Sequence, residues 1–111
     1  MRTEPFRALD GSTVHERAHT AAVSLAEATV APGAATVAHQ HAFEEIYLFG
    51  AGTGRMRLGD DERPVAGGDC VVIPPGTPHK LWAGGSDPLV LLCVCAPPYT
   101  DAGTTLLEDA A

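Results

Sequence analysis

Two histidines separated by one residue, with a glutamate four positions on, lie in the stretch His39-Gln40-His41-Ala42-Phe43-Glu44-Glu45-Ile46-Tyr47. Along an extended strand alternate side chains share a face, so His39 and His41 point the same way. If the strands on either side of the bend keep phase, Glu45 joins them and Glu44 points out. Two imidazoles and a carboxylate gathered inside a fold are badly desolvated unless something bridges them. A divalent transition metal suits these donor types, and the set leaves coordination positions for water or a ligand. A fourth ligand must come from elsewhere in the chain. His79 is the candidate, because the rigid turn Pro74-Pro75-Gly76-Thr77-Pro78 before it fixes a strand entry and a side-chain direction. His15 and His19, in a polar N-terminal stretch, read as surface residues.

Short strands must position these side chains. Turn signals such as Asp10-Gly11, Pro32-Gly33, Gly67-Gly68, Gly84-Gly85 and Pro97-Pro98 recur, with segments rich in Val, Leu, Ile and Thr between them. That spacing leaves no room for several full helices, so the expected class is all-β, built of short antiparallel strands. Strands are expected at about 14–17, 23–30, 36–41, 45–49, 55–58, 63–65, 70–73, 79–82 and 89–94, followed by a polar tail over 98–111 with one helical turn at 104–108. So many strands must pair their edges. A closed barrel or a two-sheet jelly roll does this, and either leaves an interior lined by alternate side chains.

A chain of 111 residues encloses one core, so a single domain over 1–111 is expected. Its net charge of -7 repels a phosphate backbone, which argues against nucleic acid as a partner. The longest apolar run, Leu89 to Ala96, is far short of the roughly 20 residues a membrane-spanning helix needs, and no apolar stretch follows Met1 as in a secretory signal. A cytoplasmic protein with no membrane partner is the expectation. Cys70, Cys93 and Cys95 lack the spacing of a redox pair or zinc knuckle and read as reduced, small core residues.

Residues 33–52 resemble the first motif of the cupin superfamily, in which a Gly, a His-x-His pair, a Glu and a closing Gly follow at set intervals, here filled by Gly33, His39, His41, Glu45 and Gly52. Residues 68–83 resemble the second motif, with Gly68, Pro74, Gly76 and His79 in place. Where that motif ordinarily closes with Asn this chain has Ala83, a departure that bears on the strand end rather than on the metal. The resemblance implies a conical jelly-roll β-barrel. It also implies a metal held inside by His39, His41, Glu45 and His79, the ion being Fe, Mn, Ni, Co, Cu or Zn.

A metal with open positions in an apolar pocket can bind a bidentate enol, hydroxy acid or diketone, act on it as a Lewis acid, or bring it together with O2. The resemblance admits dioxygenase, isomerase, cyclase and lyase chemistry on a small organic substrate, and fold alone does not choose. Oxygenation ranks first and non-redox chemistry second, because no further acid or base stands out at an inward position. A small-ligand-binding module that makes no bond is the other reading. Tyr47 shares the parity of Glu45, so it either offers a proton near the metal or packs the interior beside Phe49. Arg55 and Arg57 either hold a substrate carboxylate at the mouth or lie on the solvated face of a hairpin. Finally, Ile46-Tyr47-Leu48-Phe49 and Leu89 to Val94 are apolar on both faces, so the outer face needs cover; a second sheet layer of the same chain would serve, but with so few elements left a second subunit is the simpler cover, and a homodimer is expected.

Overall fold

Alternating apolar and polar residues between glycine and proline turns produce strands throughout the computed structural model, which describes residues 2–108. In chain order they are β1 (Phe6–Arg7), β2 (Thr13–His19), β3 (Ser24–Val30), β4 (His39–His41), β5 (Glu44–Ala51), β6 (Thr53–Leu58), β7 (Asp61–Ala66), β8 (Cys70–Ile73), β9 (His79–Ala83), β10 (Leu89–Ala96) and β11 (Thr104–Leu106). No helix occurs among the described residues. The strands form a six-stranded sheet in the order β1-β2-β3-β10-β5-β8 and a five-stranded sheet in the order β11-β4-β9-β6-β7. Of the two closures open to an all-β chain, the two-sheet jelly roll is the one adopted. Tyr47, Phe49, Leu89 and Leu91 of the larger sheet pack with Met56 and Leu81 of the smaller one to make the core.

Register decides what faces that core. Across β8, β5, β10 and β3 one row runs Ile73, Glu45, Cys95, Ser24 and the next inward row runs Val71, Tyr47, Cys93, Ala26. The intervening outward rows are Val72, Ile46, Val94, Leu25 and Cys70, Leu48, Leu92, Glu27. Alternation within β8 therefore turns Cys70 out, and the expectation of a core residue there is corrected: Cys70 is exposed, Cys93 half-buried and Cys95 buried.

Two glycines hold the turns that matter to the site. Gly52 has φ +83°, and a Cβ there would lie 2.2 Å from the Pro88 carbonyl oxygen, so no other residue fits. Gly76 has φ +75° and donates its N–H to the His41 carbonyl at 2.7 Å, tying the proline turn before β9 to the strand that carries two histidines.

The C-terminal segment departs from expectation. Residues 104–106 form β11, not a helical turn, and pair with the edge strand β4 in the register Thr104 to His41 and Leu106 to His39. The reason is local and tertiary at once: adjacent β-branched threonines disfavour a helix, and an unpaired edge offers them backbone partners. Beyond β11, Glu108 accepts the Ala38 N–H at 2.9 Å and pairs with Lys80. The strand expected over 36–41 is shortened to His39–His41, with Ala35 making only an isolated bridge to Trp82. The two-residue β1 was too short to show in any periodicity.

Candidate metal centre

His39 and His41 stand on β4, and His39 is the direct cross-strand partner of His79 on β9. The ligand nitrogens of these three histidines lie within 4.8 Å of one another, a group that could hold a metal ion. Glu45 reaches in from the opposite sheet, its Oε1 3.3 Å from His41 Nε2 and 3.4 Å from His79 Nε2. All four side chains are withdrawn from water, with residue exposures of 2% for His39, 5% for His41, 4% for Glu45 and 1% for His79. Glu44 is exposed. The phase that was assumed across the Ala42-Phe43 bend therefore holds.

Hydrogen bonds on the far side of each ring settle which nitrogen faces the centre. His39 Nδ1 lies 2.7 Å from the Val37 carbonyl and His79 Nδ1 lies 3.0 Å from the Thr77 carbonyl. A carbonyl only accepts, so both Nδ1 atoms carry hydrogen. His41 Nδ1 meets Thr104 Oγ1 at 2.9 Å, and that hydroxyl gives its own hydrogen to the Thr100 carbonyl at 3.0 Å. His41 Nδ1 is therefore a donor too. In the neutral rings the Nε2 lone pairs face inward, the orientation that metal-binding histidines take when their other nitrogen is held by a carbonyl or hydroxyl.

Two atoms of this cluster, Glu45 Oε1 and His79 Nε2, are buried without a hydrogen-bond partner among the described residues. An acceptor facing lone pairs is an unstable arrangement unless positive charge lies between them, and a divalent cation supplies it. The donor set fits such an ion. Burial, followed by the neighbouring His79, lowers the His39 pKa to about 4 despite the nearby Asp10 carboxylate. Burial alone would raise the Glu45 carboxyl, but His41 and His79 more than offset this and bring it down to about 2.

Further groups converge that residue spacing did not bring together. Cys95 donates its thiol to Glu45 Oε2 at 3.2 Å, and burial together with the Glu45 charge holds the thiol well above its ordinary pKa, so it stays a donor. Asp10, between β1 and β2, accepts from the Ser12 N–H at 2.9 Å and the Ser12 hydroxyl at 2.7 Å through Oδ1. Its Oδ2 lies 3.8 Å from His39 Nε2. In sequence Asp10-Gly11 signalled only a turn, and nothing there linked it to a histidine in another sheet. Tyr47 packs edge-on against Phe49 at 6.0 Å and His79 at 5.8 Å. Burial and the Glu45 charge keep its phenol protonated.

His39, His41 and Glu45 form one wall of a cavity of about 70 Å³, lined otherwise by residues such as Val14, Ala26, Ala28, Val30, Leu81 and Leu91; His79 is not among its lining residues. Arg55 and Arg57 do not line it. Inward Met56 turns both outward, where Arg55 pairs with Glu62 at 3.1 Å and Arg57 lies over the Trp82 ring at 5.8 Å. Of their two readings, the solvated hairpin face is correct. His19 is exposed, and His15 is half-buried rather than fully on the surface; neither belongs to the cluster.

A family model described as a cupin domain matches residues 26–95. An uncharacterized protein of Methanocaldococcus jannaschii, MJ1618, is 40% identical, the match covering 96% of this chain and 90% of that protein. Among solved structures, the polyketide cyclase RemF from Streptomyces resistomycificus superposes with a TM-score of 0.81 at 19% identity, over 97% of this chain and 82% of that one. A variant of the Bacillus subtilis oxalate decarboxylase OxdC gives 0.82 at 22% identity, over 95% of this chain and 30% of that one. At such identities the likeness concerns the fold. No helix among the described residues is long and apolar enough to cross a membrane.

Proposed function

Since the chain belongs to the cupin family, we propose that it is a metal-dependent enzyme acting on a small organic molecule, with His39, His41, His79 and Glu45 holding one divalent transition metal: Fe, Mn, Ni, Co, Cu or Zn. One observation carries the reading: three buried histidines and an orphaned carboxylate oxygen converge on one point, and His39, His41 and Glu45 among them line a cavity. Bound there, such an ion supplies Lewis acidity toward an enol, hydroxyl or carbonyl oxygen and, if redox-active, a meeting point with O2. The chain does the rest. The Val37 and Thr77 carbonyls and the Thr104 hydroxyl fix the ring orientations, and the Cys95 thiol holds one oxygen of Glu45 so that the other faces the histidines. The apolar walls limit water around a bound molecule.

Oxygenation is the first reaction class we propose. A specific observation favours a second, non-redox class of isomerisation, cyclisation or elimination: Asp10 sets a carboxylate at the cavity, where the residue pattern offered no acid or base beyond Tyr47. The deciding experiment is elemental analysis of protein purified from its native host. It is followed by incubating the metal-loaded protein with a panel of enols, hydroxyketones and diketones while O2 is monitored. O2 uptake matched to substrate loss is expected for the first class; turnover that persists under argon selects the second. Unchanged substrates throughout leave a binding module.

We place the protein in the cytoplasm, in keeping with its three free cysteines. It is also expected to be a homodimer. Leu48 is 44% and Val72 54% exposed on the outer face of the six-stranded sheet, beside Ile46, Leu92 and Val94, a continuous apolar surface that a second copy would cover. Light scattering at tens of micromolar should give twice the 11.5 kDa chain mass, and the monomer mass would count against the dimer.

A further inference from the structure

The charges around the cavity are one-sided. Asp10, Glu16 and Glu45 line it, and none of the described residues that line it is Lys or Arg. No lysine or arginine there can form an ion pair with a carboxylate or phosphate on an entering molecule. The three carboxylates are not equivalent. Glu45 faces the histidines and is held by Cys95. Glu16 is engaged with His19 and with the Arg2 backbone N–H. Asp10 is held through one oxygen only, by Ser12, and its other oxygen is directed at the same Nε2 that His39 turns toward the centre. Its side chain is only 14% exposed, so little water screens its charge.

We infer that this cavity selects an uncharged small molecule with an apolar body, and that Asp10 is the specificity-determining residue that would keep anions from a metal held by the histidines. The inference rests on the metal reading above. With a divalent ion in place, Glu45 and Asp10 together cancel its charge, so an anion gains little net attraction and meets the Asp10 carboxylate directly. A neutral donor meets no such opposition, and Val14, Ala28, Val30 and Leu91 offer its body apolar contact.

The test uses cobalt-loaded full-length protein at pH 8 with two small monodentate probes, azide as the anion and imidazole as the uncharged donor, titrated against the visible cobalt spectrum. Asp10→Asn removes the charge at nearly constant shape. It should strengthen azide binding on the order of tenfold or more and leave imidazole within about threefold. Asp10→Glu, which keeps the charge, should leave azide weak. An azide affinity unmoved by Asp10→Asn overturns the inference, as does an equal gain for both probes, which would mean that Asp10 merely obstructs. Loss of cobalt from Asp10→Asn alone also overturns it, by making Asp10 a ligand. Wild-type protein that takes up no cobalt instead brings down the metal reading, and the selectivity with it.

Discussion

Replacing Glu45 by alanine is expected to lower affinity for a divalent metal by tenfold or much more, while replacing its neighbour Glu44 leaves it nearly unchanged. The two residues are chemically identical and adjacent, yet Glu45 is 4% exposed with Oε1 at 3.3 and 3.4 Å from two ring nitrogens, whereas Glu44 is exposed. Glu45→Ala removes a donor and the negative charge that offsets the ion, and the loss of mere supporting groups already costs about 10–100-fold at metal sites. It also leaves the Cys95 thiol without its acceptor. Glu44→Ala touches only solvent and should change stability by about 0.5 kcal/mol or less. Metal titrations of both variants under identical conditions make the comparison. Metal retained by Glu45→Ala and lost from Glu44→Ala would overturn the assignment.

The second large effect is on stability. An ion that binds the folded state alone stabilises it by about 2.7 kcal/mol when present at a hundred times its Kd. For a domain of this size that is on the order of 10 °C or more in Tm. Chelation should therefore lower Tm by that amount at pH 7, and a Tm indifferent to chelator and to added metal would falsify the metal reading. The metal-free protein should carry its own pH signature. His39, with a pKa of about 4 in the fold against an ordinary 6.5, binds fewer protons when folded than when unfolded between those values. Its contribution is present above pH 6.5 and is lost as pH falls toward 4. Glu45, at about 2 against an ordinary 4.5, adds a second loss between 4.5 and 2. Calorimetry on chelated protein should accordingly show Tm falling from pH 7 to 4 and again below; a flat profile down to pH 4 would exclude the His39 contribution.

The parts of this centre that lie within one strand were legible in the residue pattern; those that depend on which strands meet were not. Alternation alone puts His39 and His41 on one face and separates Glu45 from Glu44, because the two-residue period of a strand is a local property; joining Glu45 to the histidines took the added premise that phase is kept across the Ala42-Phe43 bend. His79 could be added because a proline-rich turn constrains the residue after it, and the two motifs led to the cupin family that the match over residues 26–95 bears out. Cys95 and Asp10 escaped for a different reason. Cys95 meets Glu45 through the register of β10 against β5, strands far apart in the chain, and Asp10 enters from a loop whose only local signal was its turn. Thr104 was misread as helical because its partner, the exposed edge of β4, is a tertiary fact. Arg55 and Arg57 stayed open until Met56 fixed the facing of β6.

The pairing of β11 with β4 makes the histidine cluster part of a thermodynamic cycle. Thr104 holds His41 in its inward-facing tautomer, and the same strand closes the edge on which His39 and His41 stand. If the cluster takes up the proposed ion, docking of this segment and ion uptake are linked equilibria, and linkage is reciprocal: by whatever factor the docked strand tightens the ion, the ion tightens the strand. Residues remote in sequence from every ligand thus report on the centre. In hydrogen-exchange terms, the amides of Thr104 to Leu106 should open without global unfolding in the metal-free chain and gain protection as metal is added, which would make this short edge strand a gauge of occupancy.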